Sequence, residues 1–292
     1  MKILIFGATG MLGHKLFQKL SGAFDVTGTI RGSYDDVKQY DFLKRDRIIE
    51  FTSADDAASI NSAIAKANPD VVMNAIGVVK QLPSAKNVIK TLEINSMFPN
   101  RLAELAQTHG FRLITISTDC VFDGVRGFYS ENDQPNANDL YGKSKNLGEV
   151  SAAGCVTLRT SIIGRELGSA HSLVEWFLSN RGGSVKGFTN AIYSGFPTIV
   201  FADIITSLIT DHKEISGLYH VAADPITKFD LLTLVNKYYE TGIDIVASDE
   251  LKIDRSLDGR KFEAATGFTP LPWEEMIKTM AADRAPYETY RK

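Results

Sequence analysis

The sequence predicts an α/β fold, a doubly wound parallel sheet with a smaller cap in its C-terminal part. Ile3 to Phe6 is a short, wholly apolar run, and Val71 to Ile76 is nearly so, as is typical of strands buried on both faces of a parallel sheet. Helical segments alternate with such runs, and in the first of them Leu12, Leu16 and Leu20 recur at helical spacing. This alternation indicates one parallel sheet that helices cover on both faces.

The further elements of the first half follow from the same patterns. Asp55 is a suitable N-cap for a helix that carries Ile60 and Ile64, and Pro69 ends that helix. Later helices are expected from about Pro99 and from Tyr141. The predicted strands of this half are Ile3 to Phe6, Asp25 to Ile30, Ile48 to Thr52, Val71 to Ile76, Arg112 to Ser117 and Cys155 to Ile163.

The alternation loosens after about Gly164. Thr198 to Ile209 is still a strongly apolar helical segment, and Gly217 to Ala222 is similar to one more strand of the sheet. We therefore expect a sheet domain of residues 1–164 and about 196–222, and a cap of about residues 165–195 and 223–292. In such folds ligands bind between the two parts, at the carboxyl ends of the strands.

The composition is that of a soluble globular protein. Of the 292 residues, 44% are hydrophobic and 23% are charged, so the chain can bury a large core without a metal or a disulfide. The net charge of −3 gives no reason to expect nucleic acid or an anionic membrane as partner. No apolar stretch approaches the ~20 residues of a membrane span. Cys120 and Cys155 have no paired spacing, which favours a cytoplasmic location.

A glycine-rich turn follows the first strand. Residues 7–13 have the pattern G-x-x-G-x-x-G, in which glycine lets the backbone turn tightly and approach a pyrophosphate. The helix that follows offers free N–H groups to the phosphates. The alternative is a purely structural strand-to-helix turn, but the position directly after a buried strand favours a Rossmann-type dinucleotide-binding domain. The predicted cofactor-binding residues of this turn are Gly7, Thr9, Gly10, Met11, Leu12 and Gly13.

Other phosphate, hydrolase and metal motifs are absent from the sequence. Gly142-Lys143-Ser144 is similar to the end of a P-loop, but position 137, where that motif needs a glycine, is alanine. The sequence has no G-x-S-x-G, which excludes the nucleophile elbow of a serine hydrolase. Its five histidines have no paired ligand spacing, so no metal site is indicated.

Arg31 lies just beyond the second predicted strand, where dinucleotide-binding folds distinguish their two cofactors. An acid at this place binds the ribose 2′-hydroxyl of NAD, whereas an arginine accommodates the 2′-phosphate of NADP. Arg31, with Thr29 and Ser33 as hydroxyl donors, favours NADPH. Asp35 or Asp36 leaves NADH open as the alternative.

Tyr141 and Lys145 form a Y-x-x-x-K pattern that is suited to proton transfer. Residues i and i+4 share one helix face, so the Lys145 ammonium is expected to lower the pKa of Tyr141 toward the working range. Thr118, at the end of a predicted strand, can supply a third hydroxyl. Two other pairs have the same spacing but lie in a polar stretch where no third group converges, Tyr34 with Lys38 and Tyr40 with Lys44.

These motifs together resemble the extended short-chain dehydrogenase/reductases, and within them the branch of dTDP-4-dehydrorhamnose reductase. The resemblance covers essentially the whole chain and is weakest after about residue 225. The matching segments are Gly7 to Gly13, Asn74-Ala75-Ile76-Gly77, Ser117-Thr118-Asp119-Cys120-Val121-Phe122-Asp123-Gly124, Tyr141 to Lys145, Leu158-Arg159-Thr160-Ser161 and Pro197-Thr198.

The resemblance implies hydride transfer from NAD(P)H to a 4-keto-6-deoxy sugar nucleotide, in deoxysugar or polysaccharide biosynthesis. It implies that Thr118, Tyr141 and Lys145 are the catalytic triad, that Tyr141 donates the proton, and that Lys145 also holds the nicotinamide ribose. It further implies a cap that binds substrate, and a homodimer is the assembly we consider. By the same resemblance, three more residues contact the cofactor: Asn74, Ala75 and Ile76.

Cys120 is the main departure from the reductase pattern. Sugar-nucleotide dehydratases carry Asp-Glu after the threonine, and here Cys120 follows Asp119, so dehydration is not expected. A cysteine at this position is similar to GDP-fucose synthase, which pairs it with a later histidine for epimerisation, and His171 lies in the matching stretch. The alternative is that Cys120 is a small filler that lines the pocket. We favour simple reduction.

The substrate side of the predicted pocket is less well marked. Cys120, Phe122, Asn190 and Arg255 are its candidate residues, and the fork of an arginine suits the paired oxygens of a pyrophosphate. Ser194 and Arg260 are further candidates, although both arginines are equally consistent with surface charges. A second class of function stays open, because the regulatory beta subunit of methionine adenosyltransferase resembles the same branch. On that hypothesis the chain binds NADPH without catalysis.

Overall fold

A computed structural model describes residues 1–80, 83–283 and 285–290 of the chain. The strands described there are, in chain order, β1 (Lys2–Phe6), β2 (Asp25–Thr29), β3 (Ile48–Ile49), β4 (Val71–Asn74), β5 (Arg112–Thr118), β6 (Cys155–Thr160), β7 (Ile162–Ile163), β8 (Ser184–Phe188), β9 (Ala191–Tyr193), β10 (Phe196–Pro197), β11 (Gly217–His220), β12 (Ile226–Thr227), β13 (Asp244–Ser248) and β14 (Ile253–Asp254). The α-helices are α1 (Met11–Leu20), α2 (Ala57–Ala67), α3 (Val88–Leu92), α4 (Phe98–His109), α5 (Leu140–Leu147), α6 (Leu173–Leu178), α7 (Thr198–Thr210), α8 (Lys228–Tyr239), α9 (Arg260–Thr266), α10 (Trp273–Ala281) and α11 (Tyr287–Tyr290).

The central sheet has seven parallel strands in the order β11-β6-β5-β4-β1-β2-β3. The predicted doubly wound α/β fold is therefore confirmed. Strand β1 shows why its sequence is wholly apolar: Ile3 and Ile5 enter one hydrophobic cluster, and Leu4 and Phe6 enter another on the opposite face. Helices α1 and α7 pack together on the first side, and α2 and α4 cover the second.

Some local predictions differ from the structure in detail. The single strand predicted over Cys155 to Ile163 is two strands, β6 and β7, and β7 pairs with β10 outside the central sheet. The third strand is only Ile48–Ile49, shorter than the predicted Ile48 to Thr52. The N-cap of α2 is Asp56, whose side chain accepts a hydrogen bond from the Ala58 N–H, rather than Asp55. The Asp55 carboxylate is instead bonded to the Ser53 hydroxyl, which explains why it does not cap the helix.

The helix before β5 contains a feature that the sequence did not predict. Helices α3 and α4 are joined by a π-helical turn over Glu93–Met97. Such turns widen the helix by one residue and are frequent at functional sites. Here the turn packs against α5.

Small sheets occupy the chain after β6. Strand β10 pairs with β7, β9 lies between β12 and β14, and β13 pairs with β8. The C-terminal residues return to the first helix, since the Tyr287 hydroxyl lies 2.9 Å from Nε2 of His14. No helix among the described residues is both long enough and apolar enough to cross a membrane.

Candidate active site

The predicted cofactor and catalytic residues meet at the carboxyl edge of the parallel sheet. The glycine-rich turn follows β1, Asn74 ends β4, and Thr118 ends β5. Since β1, β4 and β5 are neighbours, these three ends lie side by side. This is the edge at which doubly wound folds bind their ligands.

The structural constraint that favours glycine differs among the three glycine positions of the turn. Gly7 has φ +88°, a conformation that side chains disfavour. A Cβ on Gly13 would overlap the carbonyl oxygen of Gly7, so packing alone requires glycine there. A Cβ on Gly10 would meet nothing closer than that same oxygen at 3.4 Å. The fold does not need glycine at position 10, which leaves the space above the turn open to a bound phosphate.

The end of β4 lies against this turn. The buried Asn74 donates through Nδ2 to the Thr115 hydroxyl at 3.1 Å and accepts from the Ile76 N–H at 3.1 Å. These bonds fix the backbone at Ala75 and Ile76, which are the residues that a Cβ on Gly7 would touch. Thr9 and Met11 are half-buried, whereas the Leu12 side chain is in the core, so Leu12 can offer a ligand only its backbone.

Arg31 is exposed just beyond β2, where the sequence predicted a contact with a 2′-phosphate. No carboxylate among the described residues lies within ion-pairing distance of it. Thr29, predicted as a second donor to that phosphate, is buried, and its hydroxyl accepts from the Gly7 N–H at 3.3 Å. The Ser33 hydroxyl, predicted as a third donor, donates to the Glu50 carboxylate at 3.2 Å, so its proton is used within the protein.

Thr118, Tyr141 and Lys145 come together as predicted at the end of β5. The Thr118 hydroxyl donates to the Asp119 carboxylate at 3.0 Å and accepts from the Cys120 N–H at 3.1 Å. Helix α5 packs against β5 and the turn that follows it, and it carries both Tyr141 and Lys145. Asp139 caps α5 by accepting from the Gly142 N–H at 2.8 Å.

The pKa of Tyr141 does not follow the sequence prediction. Burial raises the pKa of its hydroxyl above the usual range, the neighbouring Cys120 and Asp119 add to the rise, and a hydrogen bond with Thr118 opposes it. Lys145 does not counteract this, because its ammonium donates to the Ile116 carbonyl oxygen at 2.6 Å. Tyr141 is therefore a protonated acid at neutral pH, as proton donation to a carbonyl oxygen requires.

Lys145 has a pKa close to neutral. Burial lowers the pKa of its ammonium to about 8, and the negative charge of Glu149 opposes the shift. Glu149 is itself held by two contacts with the Arg159 guanidinium, at 2.7 and 2.6 Å, and by the Ser117 hydroxyl at 2.6 Å. A fixed carboxylate one helical turn away thus keeps Lys145 largely charged at neutral pH.

A cleft of about 330 Å³ opens at the N-terminus of α5, where Asp139 is one of its lining residues. Arg255 forms part of its wall and is held there by donation from Nε to the Phe122 carbonyl oxygen at 2.8 Å. The Phe122 ring itself is fully buried and stacks on Tyr129 with centroids 4.2 Å apart, so it supports the wall from behind. The residues that line the cleft are Phe122, Asp123, Ala137, Asn138, Asp139 and Arg255.

The other predicted cap residues are not among the residues that line this cleft, and their contacts differ. Asn190 is exposed, and its carbonyl oxygen accepts from the Ile253 N–H at 3.0 Å, two residues before Arg255. Ser194 is buried and accepts from the Leu257 N–H at 3.1 Å, which makes it structural. Arg260 is paired with Asp258 at 2.5 Å, so its guanidinium is already occupied.

A match to a protein-family model shows which family the chain belongs to. Residues 1–285 match the model of the RmlD substrate binding domain family. The chain belongs to this family. The matched range includes the glycine-rich turn and the predicted catalytic and cap residues, so the family covers the whole candidate site described above.

The similar proteins include reductases and subunits of another enzyme. The dTDP-4-dehydrorhamnose reductase of Aggregatibacter actinomycetemcomitans is 27% identical over 96% of this chain and 98% of its own length. The methionine adenosyltransferase 2 subunit beta of Danio rerio is 26% identical over 79% of this chain and 71% of its own. A dTDP-4-dehydrorhamnose reductase of Bacillus anthracis, solved in complex with NADP, shares the fold with a TM-score of 0.74 and 20% identity, over 96% of this chain and 98% of that one.

Lys80 is a residue of the candidate active site that the sequence analysis did not predict. Its ammonium lies 5.5 Å from the centroid of the Tyr141 ring and pairs with the Asp139 carboxylate at 2.7 Å. It also acts to lower the pKa of Cys120. No motif marks Lys80, because it follows β4 in a loop and meets α5 only in the folded chain.

Asn95, in the π-helical turn, is a second residue that was missed. Its Oδ1 accepts from the Val78 N–H at 2.8 Å, and its Nδ2 donates to the Val78 carbonyl and to the Ser144 hydroxyl, both at 3.1 Å. This single buried amide joins the loop after β4 to the helix of Tyr141. A lone asparagine in a helical segment carries no signal of such a role in the sequence.

The structure does not favour Cys120 as a base that would epimerise the sugar. Burial raises the pKa of its thiol to about 11, and Asp119 adds to the rise while Lys80 and Arg255 oppose it. His171 is exposed, and its backbone N–H donates to the Glu166 carboxylate at 2.7 Å. The groups whose charge acts on Cys120 do not include His171. A thiol with a raised pKa is largely unionised at neutral pH and is a poor base.

Proposed function

We propose that the chain is an NAD(P)H-dependent reductase of a 4-keto-6-deoxy sugar nucleotide, in deoxysugar or polysaccharide biosynthesis. The observation that carries the proposal is the placement of a protonated Tyr141, with Thr118 and Lys145, beside the glycine-rich turn at one sheet edge. Membership of the family and its reductase relatives support the same activity. A carbonyl reductase needs such an acid next to its hydride donor.

The cofactor side of the site fits a dinucleotide. Its diphosphate would lie over Gly10, at the N-terminus of α1, where the turn is open. Ala75 and Ile76 would border it, and Arg31 would reach a 2′-phosphate. The NADP complex of the Bacillus anthracis reductase supports this cofactor class. When bound, NAD(P)H supplies the hydride.

The residues of the chain supply the proton and the charge stabilisation. As the keto oxygen gains negative charge, the Tyr141 hydroxyl would donate its proton to that oxygen, and the Thr118 hydroxyl would donate to the same atom once it turns from the Asp119 carboxylate. The Lys145 ammonium, which donates to the Ile116 carbonyl in the free protein, would turn toward Tyr141 to stabilise the tyrosinate that remains, and Tyr141 recovers its proton from solvent. Arg255, fixed to the Phe122 carbonyl, is placed to bind the substrate diphosphate.

The direct test is oxidation of NADPH against a panel of 4-keto sugar nucleotides that differ in nucleotide and sugar. We expect turnover with at least one 4-keto-6-deoxy sugar nucleotide and none with the corresponding 4-hydroxy compound. The methionine adenosyltransferase 2 subunit beta among the relatives supports a second candidate function, that of a subunit without catalysis of its own. Tight NADPH binding without turnover of any panel member would replace the reductase by a non-catalytic, nucleotide-binding subunit.

Arg31→Ala is expected to remove a preference for NADPH over NADH. The exposed, unpaired guanidinium of Arg31 is the group placed for a 2′-phosphate, and loss of one charge-assisted contact should weaken NADPH binding about 10-fold and leave NADH unchanged. Dissociation constants for both cofactors measure this. Arg45→Ala is the matched control, since Arg45 is also exposed and lies close to Glu50. Equal effects on both cofactors would contradict the assignment.

Simple reduction predicts that Cys120 is not needed for the configuration of the product. Turnover in D₂O should leave the ring carbons next to C4 free of solvent deuterium, because Cys120 is held as an uncharged thiol. Cys120→Ser should give the same product. Deuterium at C3 or C5 that disappears in Cys120→Ser would instead establish an epimerase-reductase.

The domain division and the assembly are also proposals. A sheet domain of residues 1–164 and about 196–222 is supported by β11 at the edge of the central sheet and by the packing of α7 on α1. Limited proteolysis should cut first in the remaining cap segments. A homodimer is supported by exposed apolar side chains on adjoining helices, Ile89, Met97 and Leu147. Sedimentation equilibrium decides between monomer and dimer.

A cytoplasmic location is proposed on the chemistry of the cysteines. Cys120 and Cys155 are both free thiols, and Cys155 is buried in the core. Free buried thiols are compatible with a reducing compartment. Fractionation of cells that express the tagged chain tests the location.

A further inference from the structure

A buried chain of hydrogen bonds joins the glycine-rich turn to the C-terminal segment. His14 of α1 is fully buried, with Nδ1 2.8 Å from the Gly10 carbonyl oxygen and Nε2 2.9 Å from the Tyr287 hydroxyl. That hydroxyl lies 2.9 Å from Oδ2 of Asp283. The same carboxylate oxygen accepts from the Lys15 ammonium at 2.5 Å. The catalytic residues do not use this network, yet it ends on the carbonyl of the residue that leaves room for a phosphate.

The number of protons in this network depends on the state of His14. A carbonyl only accepts, so Nδ1 must carry a proton toward Gly10. If the ring is neutral, Nε2 takes the single proton of Tyr287, and no proton remains between the Tyr287 and Asp283 oxygens. If both ring nitrogens are protonated, Nε2 donates to Tyr287 and Tyr287 donates to Asp283. Every contact is then satisfied. A protonated Asp283 would also supply the missing proton, but burial, which raises the pKa of Asp283, is outweighed by the Lys15 ammonium, which lowers it, so the proton that completes the network belongs on His14.

The charges nearest to His14 oppose each other. Burial lowers its pKa to about 4, the bond to the Gly10 carbonyl raises it, the Lys15 ammonium lowers it and the Asp283 carboxylate raises it. At neutral pH the ring is therefore neutral and the network is one proton short. Any added negative charge near Gly10 shifts this balance toward the imidazolium.

The remaining surroundings of His14 add one cation and two anions at greater distance. The Arg165 guanidinium lies 4.7 Å from the centroid of the Tyr287 ring and is paired with Glu175 at 2.7 Å and with Glu288 at 2.6 Å, so this group has a net negative charge. On the other side the neighbour is the Phe42 ring, with centroids 6.3 Å apart, which carries no charge. No further carboxylate among the described residues bonds to the ring, so Asp283 is the anion that stabilises a charged His14.

We propose that His14 is a positioning residue of the cofactor site and that binding of NAD(P)H at the glycine-rich turn is coupled to the uptake of one proton by His14. The inference rests on the proposed placement of the diphosphate over Gly10. An anion at the N-terminus of α1 favours the imidazolium, and the imidazolium in turn fixes the Gly10 carbonyl through Nδ1. The proton comes from solvent, and Tyr287 and Asp283 hold the charge that is gained.

The sign of the linkage follows directly. Binding raises the pKa of His14 from its low value in the free protein, so affinity is highest below the pKa of the free protein and reaches its low limit once pH has risen through the pKa of the complex. Between the two pKa values the dissociation constant should rise with pH, by at most about tenfold per pH unit for one coupled proton.

Calorimetric titration of the full-length chain with NADPH, in two buffers of equal pH and different ionisation enthalpy, counts the protons taken up. We expect net uptake by the wild type and a loss of that uptake in His14→Gln, which cannot ionise. Tyr287→Phe keeps the ring but removes the hydroxyl, so uptake should fall and binding should weaken several-fold. Tyr239→Phe is the matched control, because its hydroxyl bonds only to the Met280 carbonyl at 3.2 Å and its ring also faces Arg165.

The 2′-phosphate and Lys145 could also take up protons on binding, and His14→Gln retains both of these sources. Subtracting the uptake of His14→Gln from that of the wild type therefore leaves the contribution of His14. A titration with NADH, which lacks the 2′-phosphate, repeats the measurement without that source. Equal uptake by the wild type and His14→Gln overturns the inference but leaves the reductase intact. Wild type that binds NADPH with no uptake overturns it as well, even if both variants fail to fold. A folded wild type that binds neither cofactor contradicts the proposed function itself.

Discussion

Tyr141→Phe should lower kcat about 10²- to 10⁴-fold, the usual contribution of a general acid, while fold and NADPH affinity are retained. The raised pKa of Tyr141 keeps its hydroxyl protonated, and it is the acid placed beside Thr118. Phenylalanine preserves the buried ring and its contact with the Lys80 ammonium, 5.5 Å from the centroid. Initial rates at saturating substrate, an NADPH titration and a melting temperature separate loss of chemistry from loss of structure.

Tyr40→Phe is the control for this substitution. Tyr40 has the same spacing to Lys44 as Tyr141 has to Lys145, but its ring packs among Phe42 and Tyr290 of an aromatic cluster. We expect it to leave kcat unchanged. If Tyr141→Phe kept most of the wild-type rate, another group or water would have to be the proton donor, and the assignment of Tyr141 would be wrong.

The parts of the fold that could be predicted are those in which local sequence and burial agree. Strand β1 must be apolar on both faces because hydrophobic clusters lie on both sides of it, and a short apolar run followed by glycine is typical of such a strand. Gly7 and Gly13 are likewise required by backbone geometry. Such constraints act within a few residues, so they are visible in the sequence.

The parts of the site that could not be predicted depend on contacts between distant segments. The i, i+4 spacing placed Lys145 on the same helix face as Tyr141. The spacing could not show that the Lys145 ammonium bonds to the Ile116 carbonyl, so that burial raises the pKa of Tyr141 without opposition from Lys145. Asn95 and Lys80 reach α5 from another part of the chain. Polar residues in helices and loops give no local sign of such partners.

Lys145→Met should also reduce kcat strongly, by about 10²-fold or more, because it removes the positive charge that stabilises the developing tyrosinate. Methionine matches the length of the lysine stem and suits a buried position. Lys143→Met is the matched control, since Lys143 lies on the same helix but is exposed. Comparable loss of rate in both variants would point to a general effect on α5 rather than to the ammonium of Lys145.

The pH dependence of kcat distinguishes the charge of Lys145 from a structural role. Burial lowers the pKa of Lys145 to about 8, so its ammonium is present below that pH and is lost as pH rises through it. We therefore expect kcat to be level near neutral pH and to fall above about pH 8, because Lys145 loses its proton there. This fall is the alkaline limb of the pH profile. Tyr141 cannot cause this limb, because burial raises its pKa well beyond that range. In Lys145→Arg the cation no longer titrates, so the alkaline limb should disappear while part of the rate remains. A limb that persists unchanged in Lys145→Arg would show that another group controls it, and the electrostatic role of Lys145 would have to be abandoned.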